Sequence, residues 1–100
     1  MTKSEFSFVA KIWEWDGPQA WHFVSLPVDL ADFVKESFGR NARGFKSLRV
    51  EVKVSDETWR TSIFPDSKRG TYLLPIKKDI RKRLGVEVGS RVTVGISILP

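Results

Sequence analysis

One short pattern occurs twice in this chain and constrains its fold more than any other feature. Leu26-Pro27-Val28 and Leu74-Pro75-Ile76 stand 48 residues apart. In both places a short strand-like run precedes the proline, and a helical stripe, a glycine and an alternating strand follow it. A chain of 100 residues fits one domain. The pattern therefore predicts a single β-barrel domain over residues 1–100, with related halves at roughly 6–54 and 57–98.

Both predicted helices rest on apolar residues at i, i+4 and i+8, which form one stripe on one helix face. The stripes are Leu30, Val34 and Phe38 in the first helix, and Ile76, Ile80 and Leu84 in the second. Pro27 and Pro75 are predicted to begin these helices, because proline is favoured in a first turn. Gly39 is predicted as the C′ residue of the first helix, and Gly85 follows the second stripe in the same way.

Alternating apolar and polar residues predict strands over 6–15, 20–26, 47–54, 58–65, 71–74 and 91–98. The first two strands form a hairpin around the turn at 16–19. Trp13 and Trp59 are expected at similar places in the two hairpins of the repeat, although they are 46 residues apart rather than 48.

Two resemblances support this architecture. The segment LPIKKDIRKRLGVEVGSRVTV is similar to the strand–helix–strand of swapped-hairpin regulators of the AbrB/MazE type, in which two short chains build one barrel. Nearly all of residues 6–98 resembles the 1905 family of domains of unknown function. The resembling segments are FVAKIWEWDGPQAWHFVSLP, SLRVEV, WRTSIFP, YLLPIKKDIRK and GVEVGSRVTV. The resemblance implies a mainly β fold, a double-split, pseudo-two-fold β-barrel with two short capping helices. It implies no established activity, and the bacteriocin-protection-type domain that some members carry becomes a candidate partner.

Composition excludes several classes of function. The chain has no cysteine, which excludes disulfides and thiolate zinc sites and fits a reducing cytosol. Residues 1–17 contain no apolar core of a signal peptide, and no apolar run approaches the length of a membrane span. These observations predict a cytoplasmic location without membrane association. The net charge is +5, and two basic clusters, at 39–49 and 66–83, could attract an anionic partner or could be solvated surfaces.

The sequence contains few of the residue patterns that catalysis or cofactor binding requires. The single histidine, His22, lies in a predicted strand, so a His-based triad or a transition-metal site is not expected. Glu14 and Asp16 are expected in solvent, and no phosphate-binding loop is present. In GRNARG, Arg40 and Arg43 could contact an anion. We therefore expect no catalytic residues, metal or cofactor.

The strongest candidate binding site combines aromatic and basic residues. Arginine beside tryptophan could hold an anionic or planar ligand through cation–π and bidentate contacts. The candidate residues are Trp13, Trp15, Trp21, Arg49, Trp59, Arg60, Thr61 and Ser62, with Tyr72 nearby on the second hairpin. The alternative is that the tryptophans fill the core and the arginines lie on the surface.

Three functions remain open from the sequence. The first is a non-catalytic binding module for an anionic small molecule or an acidic protein partner. The second is a nucleic-acid-binding regulator with the AbrB/MazE type of fold, and the third is a small enzyme. Specific duplex DNA binding is not expected, because Lys78 and Lys82 lie opposite the apolar stripe of the second helix, as a capping helix requires.

Overall fold

A computed structural model describes residues 5–17, 19–42 and 44–100. The strands are β1 Glu5–Lys11, β2 Trp13–Glu14, β3 His22–Ser25, β4 Leu48–Val54, β5 Glu57–Asp66, β6 Thr71–Pro75 and β7 Arg91–Ile98. The helices are α1 Val28–Phe38 and α2 Lys78–Leu84, and two 3-10 turns occupy 39–41 and 44–46.

The seven strands form one curled antiparallel sheet in the order β1-β7-β4-β5-β6-β3-β2. Its two ends, β1 and β2, are consecutive pieces of the same stretch, separated only by Ile12. The backbone N–H of Ile12 donates to the carbonyl of Ser90 at 3.0 Å, and its carbonyl accepts from Gly89 at 2.8 Å. The prediction of a mainly β fold with two short helices is confirmed, and the sheet has the shape of a half-barrel.

Two long stretches change partners along their length. Residues 5–11 pair with β7, and residues 13–14 pair with β3. In the same way, residues 57–63 of β5 pair with β4, and residues 64–66 pair with β6. Each stretch therefore connects two neighbouring strand pairs around the curve of the sheet.

Two strand pairings share one register. In β3–β6, Ser25 is opposite Leu73, and in β4–β7, Val50 is opposite Ile98. Both pairs join residues that are 48 residues apart, which is the spacing of the two Leu-Pro segments. In each of these two pairs, a residue of the first half of the chain thus lies opposite the residue 48 positions later.

The core lies inside the curve of the sheet, beneath the two helices. Alternation sends every second residue of each strand inward, as in β4, where Leu48, Val50 and Val52 are fully buried. Val34 of α1 and Ile80 of α2 are buried at the centres of the predicted stripes, while Lys82 is exposed. The helix faces are therefore as the sequence predicts.

The two proline junctions differ, contrary to the prediction of two proline-initiated helices. Pro27 is the N-cap of α1, and its carbonyl accepts the N–H of Ala31 at 2.9 Å. Pro75 is instead the last residue of β6, opposite Phe23, and α2 begins at Lys78. The extended conformation of Lys77, with ψ 160, delays the second helix.

The glycines after the helices also differ. Gly85 has φ 67 and ends α2 in the left-handed conformation, as a C′ glycine does. Gly39 has φ −56 and ψ −27, so it keeps a right-handed conformation. The reason is that the chain after α1 continues directly into the 3-10 turn at 39–41.

Candidate functional site

Three of the predicted site residues meet on the β2–β3 hairpin. The rings of Trp13, Trp15 and Trp21 lie 5.4, 6.4 and 6.1 Å from the ring of Phe23, measured between centroids. Val24 faces the core, so Phe23 projects from the opposite, outer face of the sheet. Phe23 is nevertheless only 7% exposed, because the three indoles cover it. We call these four residues the aromatic cluster.

Local hydrogen bonds hold the hairpin and orient the indoles. The N–H of Trp15 donates to the carbonyl of Trp21 at 2.7 Å, and the indole Nε1 of Trp21 donates to Oε1 of Gln19 at 2.7 Å. A Cβ on Gly17 would lie 2.7 Å from the Trp15 ring, so any other residue at this position would displace that ring. Trp15 and Trp21 remain 44% and 54% exposed. The bond to Gln19 thus orients the Trp21 indole, and the rings of Trp15 and Trp21 are both open to a partner.

Arg69, in the turn between β5 and β6, packs over this cluster. Its guanidinium carbon lies 4.8 Å from the ring centroid of Trp13 and 5.9 Å from that of Trp15, which is a cation–π geometry. Its Nη1 also donates to Oδ2 of Asp66 at 2.7 Å. Burial of the Asp66 carboxyl alone would raise its pKa, but hydrogen bonds and charge from Arg69 outweigh burial and lower that pKa. Arg69 therefore carries an internal counter-ion and keeps half of its side chain in solvent.

The outer face continues from the cluster across two further strands. Ser25, Leu73 and Phe64 form one row across β3, β6 and β5. The indole Nε1 of Trp13 donates to Oγ of Ser25 at 3.0 Å, which joins the cluster to this row. Phe64 is 40% exposed. We call the aromatic cluster together with Leu73 and Phe64 the aromatic surface.

The predicted arginines lie on the same outer face, farther along β4 and β5. Nη1 of Arg49 donates to Oγ of the opposite Ser62 at 3.3 Å. Nε of Arg60 lies 3.5 Å from Oε2 of the opposite Glu51. Ser62 is two residues before Phe64 on the same strand, so Arg49 flanks the aromatic surface.

The predicted contact of these arginines with Trp59 is wrong. Trp59 and Thr61 pair with Val52 and Val50, whose side chains fill the core. Trp59 accordingly packs against the core. Successive strand residues point to opposite faces, so Trp59 lies inside while Arg60 lies outside. The expected pairing of arginine with tryptophan exists, but Arg69 provides it.

The expected equivalence of Trp13 and Trp59 is also wrong. Trp13 belongs to the part of its stretch that pairs with β3, whereas Trp59 belongs to the part of β5 that pairs with β4. The two residues therefore lie in different strand pairs, and their positions in the sheet are not equivalent. Tyr72, which was expected near the site, is buried in the core, and burial raises the pKa of its hydroxyl.

The basic turn before β4 is partly described. Arg40 is exposed on the 3-10 turn at 39–41, and Arg43 lies outside the described residues. Phe45 is 92% exposed, and it has φ 59, a left-handed conformation that is rare for a bulky residue. Phe45 is not among the predicted site residues, and no periodicity of the sequence marks it.

The prediction omitted three residues of the aromatic surface, Phe23, Leu73 and Phe64, and also the adjacent Arg69. Strand alternation could have placed Phe64 on the same face as Arg60 and Ser62. Arg69 carries no such signal, because a turn residue has no periodic pattern.

His22 and Glu14 lie on the other face of the hairpin. Nε2 of His22 lies 3.9 Å from Oε2 of Glu14, and Nδ1 lies 3.1 Å from the carbonyl oxygen of Ala20.

Across residues 5–17, 19–42 and 44–100, no cluster of three or more His, Cys, Asp or Glu could hold a metal ion. Within the same ranges no helix is long and apolar enough to cross a membrane.

A family model described as Domain of unknown function (DUF1905) matches residues 8–96. The chain belongs to this family. The match includes β2, β3, β5 and β6, so the whole aromatic surface and Arg69 lie inside the family domain. No curated protein matches the chain significantly.

Proposed function

We propose that this domain is a non-catalytic binding module that docks an acidic segment of a partner protein on the aromatic surface. The observation that carries the proposal is the set of half-exposed rings of Trp15, Trp21 and Phe64 on one face of the sheet, beside the Arg69 guanidinium.

The exposed rings have the chemistry of an interface core. Trp15, Trp21 and Phe64 together leave about 200–350 Å² of aromatic residue in solvent, taking roughly 150–250 Å² for each whole residue. An apolar patch of this size on a small protein is often functional. Tryptophan and arginine are enriched among residues that contribute most to binding energy. A docked segment that covers these rings would supply the centre of an interface, with polar contacts around it.

Charge favours an acidic partner. Arg49 is exposed beside the aromatic surface and forms no ion pair with a described acidic side chain. Lys46 and Lys68 are exposed at the turns that border the surface, and Arg69 keeps donors in solvent after binding Asp66. A carboxylate on the partner could therefore bind Arg49 or replace water on Arg69.

The absence of catalysis is part of the proposal. The aromatic surface offers indole, phenyl and aliphatic side chains, and beside it Arg69 is already bound to the carboxylate of Asp66. His22 faces away from it, towards Glu14. Acyl or proton transfer needs a nucleophile and a base within hydrogen-bonding reach, and the described residues around the rings contain no such pair.

We also propose that the curled sheet is a double-split barrel of two related halves, as in the AbrB/MazE type. Support comes from the shared 48-residue register of Ser25–Leu73 and Val50–Ile98, and from the two stretches that change partners. The nucleic-acid function of that type does not follow. We propose a cytoplasmic location, no specific duplex DNA binding, and a bacteriocin-protection-type domain as one protein to test as the partner.

Binding of designed peptides tests the function directly. The probes are nine-residue peptides that alternate phenylalanine with Asp, with Asn or with Lys. We expect the Asp peptide to bind with a Kd on the order of 100 μM and the Asn peptide about tenfold more weakly. Titrations followed by ¹H–¹⁵N NMR should shift the amides of residues 13–25 and 62–73.

The matched variants are Trp15→Ala with Trp21→Ala, and the control Phe33→Ala. Phe33 is an exposed aromatic residue of α1 outside the aromatic surface. Loss of binding in the tryptophan variant alone supports the proposal. Equal binding of the Lys peptide, equal losses in both variants, or no binding of the Asp peptide would each contradict it.

A further inference from the structure

A second surface of the molecule has a different character. A cleft of about 540 Å³ opens where β1, β7 and the end of β4 meet the chain that follows α2. Residues of the aromatic surface do not line this cleft. Because Gly95 lies at its floor, we call it the Gly95 cleft.

The floor of the cleft lacks a side chain at its centre. Gly95 of β7 is directly opposite Ser7 of β1 on one side and Lys53 of β4 on the other. A Cβ on Gly95 would lie 3.2 Å from Oε1 of Glu5 and 3.7 Å from the carbonyl oxygen of Lys53. A larger residue here would therefore both fill the floor and displace Glu5.

The polar walls are rich in hydrogen-bond donors. Lys53 and Arg91 supply two positive charges, and neither forms an ion pair with a described acidic side chain. Ser7, Ser55 and Thr93 add three hydroxyl groups. Glu5 is the one acid among the lining residues, so the lining has a net charge of +1.

The remaining wall is apolar, and the surroundings are positive. Leu84 and Val86, both half-buried, line the side nearest α2. Val86 also lines a second cleft of about 410 Å³, where Lys78, Arg81 and Lys82 face a single acid, Glu87. Two neighbouring clefts with an excess of cations raise the local electrostatic potential.

We infer that the Gly95 cleft binds a phosphomonoester that carries a small apolar group. A phosphate dianion has three terminal oxygens and nearly two charges, which match two cations and three hydroxyls better than one carboxylate does. The apolar group would pack against Leu84 and Val86, where it removes apolar surface from water. This inference goes beyond the proposed docking function and does not depend on it.

Three probes separate the parts of this ligand. Phenyl phosphate has both the dianion and the apolar group, benzoate has one charge, and inorganic phosphate has no apolar group. In ¹H–¹⁵N NMR titrations at low salt, we expect phenyl phosphate to shift amides at 53–55, 84–86 and 91–95 with a Kd on the order of 1 mM. Benzoate and inorganic phosphate should each bind at least threefold more weakly.

Removing a positive charge and removing the negative charge should change the affinity for phenyl phosphate in opposite directions. Lys53→Met and Arg91→Gln should each weaken phenyl phosphate binding about threefold to tenfold. Glu5→Gln should strengthen it about threefold, because it removes the only like charge in the lining. Gly95→Val should abolish it by filling the floor. Lys35→Met, which changes the net charge equally on α1, is the control and should leave the Kd unchanged.

Several results would overturn the inference. These are equal affinity for benzoate, weaker binding in Glu5→Gln, or the same loss in Lys35→Met as in Lys53→Met. Tighter binding of single-stranded oligo-dT at the same amides would assign the surface to nucleic acid instead. Thermal melting of each variant confirms that the domain remains folded during the titrations.

Discussion

Two glycines that end the two helices should respond to alanine with opposite signs. Gly85 has φ 67, and Gly39 has φ −56. Nothing lies within 4 Å of a Cβ built on either glycine, so neither alanine would meet a steric clash. Both substitutions also reduce the conformational freedom of the unfolded chain by the same amount. The difference between them therefore isolates the cost of a left-handed alanine.

That cost is about 1–2 kcal/mol for an L-residue with a Cβ. The unfolded-state effect of replacing glycine by alanine stabilises by about 0.4–1 kcal/mol. We expect Gly39→Ala to be stabilised by that amount, and Gly85→Ala to be destabilised by about 0.5–1 kcal/mol. At the end of α2 the N–H of Val86 donates to the carbonyl of Arg81 at 3.1 Å. This bond forms only while residue 85 stays in the left-handed conformation.

Thermal melting followed by circular dichroism measures the difference. For a domain of this length, 1 kcal/mol shifts Tm by roughly 4–8 °C, so the two variants should differ by about 5–15 °C. A Gly39→Ala variant that melts at or below Gly85→Ala would refute the assignment of the two helix ends. Far-ultraviolet spectra that match at low temperature would confirm that both variants keep the fold.

Two further predictions concern buried side chains. Ile80→Asp should destabilise the domain by several kcal/mol, because a buried carboxylate without a partner loses its hydration. Lys82→Ala should be nearly neutral, because Lys82 is exposed. Equal effects of the two substitutions in urea unfolding would mean that the helix face is misassigned. Tyr72 is the only tyrosine, and burial raises its pKa above 10. Its phenolate absorbance should therefore appear above pH 10, and stability should fall as pH rises from 10 towards the folded pKa, since only the unfolded chain ionises there. A midpoint at or below 10 contradicts this.

Local pattern was enough to predict the elements, because their signals lie within a few residues. The helix at Val28–Phe38 follows from one apolar stripe, and Leu48–Val54 from strict alternation. The change of partner within β5, between Ile63 and Phe64, has no such signal. Strand pairing depends on residues far away in sequence, so neither the sheet order nor this change could be predicted.

In the candidate site, too, contacts between residues close in sequence could be predicted, and contacts between distant segments could not. The three hairpin tryptophans come together because residues of one hairpin are neighbours in sequence as well as in space. The contact of Trp59 with Arg60 fails, since neighbours along one strand point to opposite faces. Arg69 reaches Trp13 from another hairpin, through a turn whose position depends on the whole sheet.

The proposed two-fold relation does not extend to the contact of Arg69 with the tryptophans. At the 48-residue spacing, Trp21 corresponds to Arg69 and Phe23 to Thr71. Because Ser25 faces its counterpart Leu73, the β2–β3 and β5–β6 turns reach the same outer face from opposite directions. Arg69 reaches across this face to Trp13 and Trp15, whose positions correspond to Thr61 and Ile63 at the same spacing. The cation–π contact and its counter-ion, Asp66, therefore have no equivalent at the 48-residue spacing, whereas the Ser25–Leu73 and Val50–Ile98 pairs do follow that spacing. We therefore expect functional differences among such domains to lie in these turn residues rather than in the central pairings.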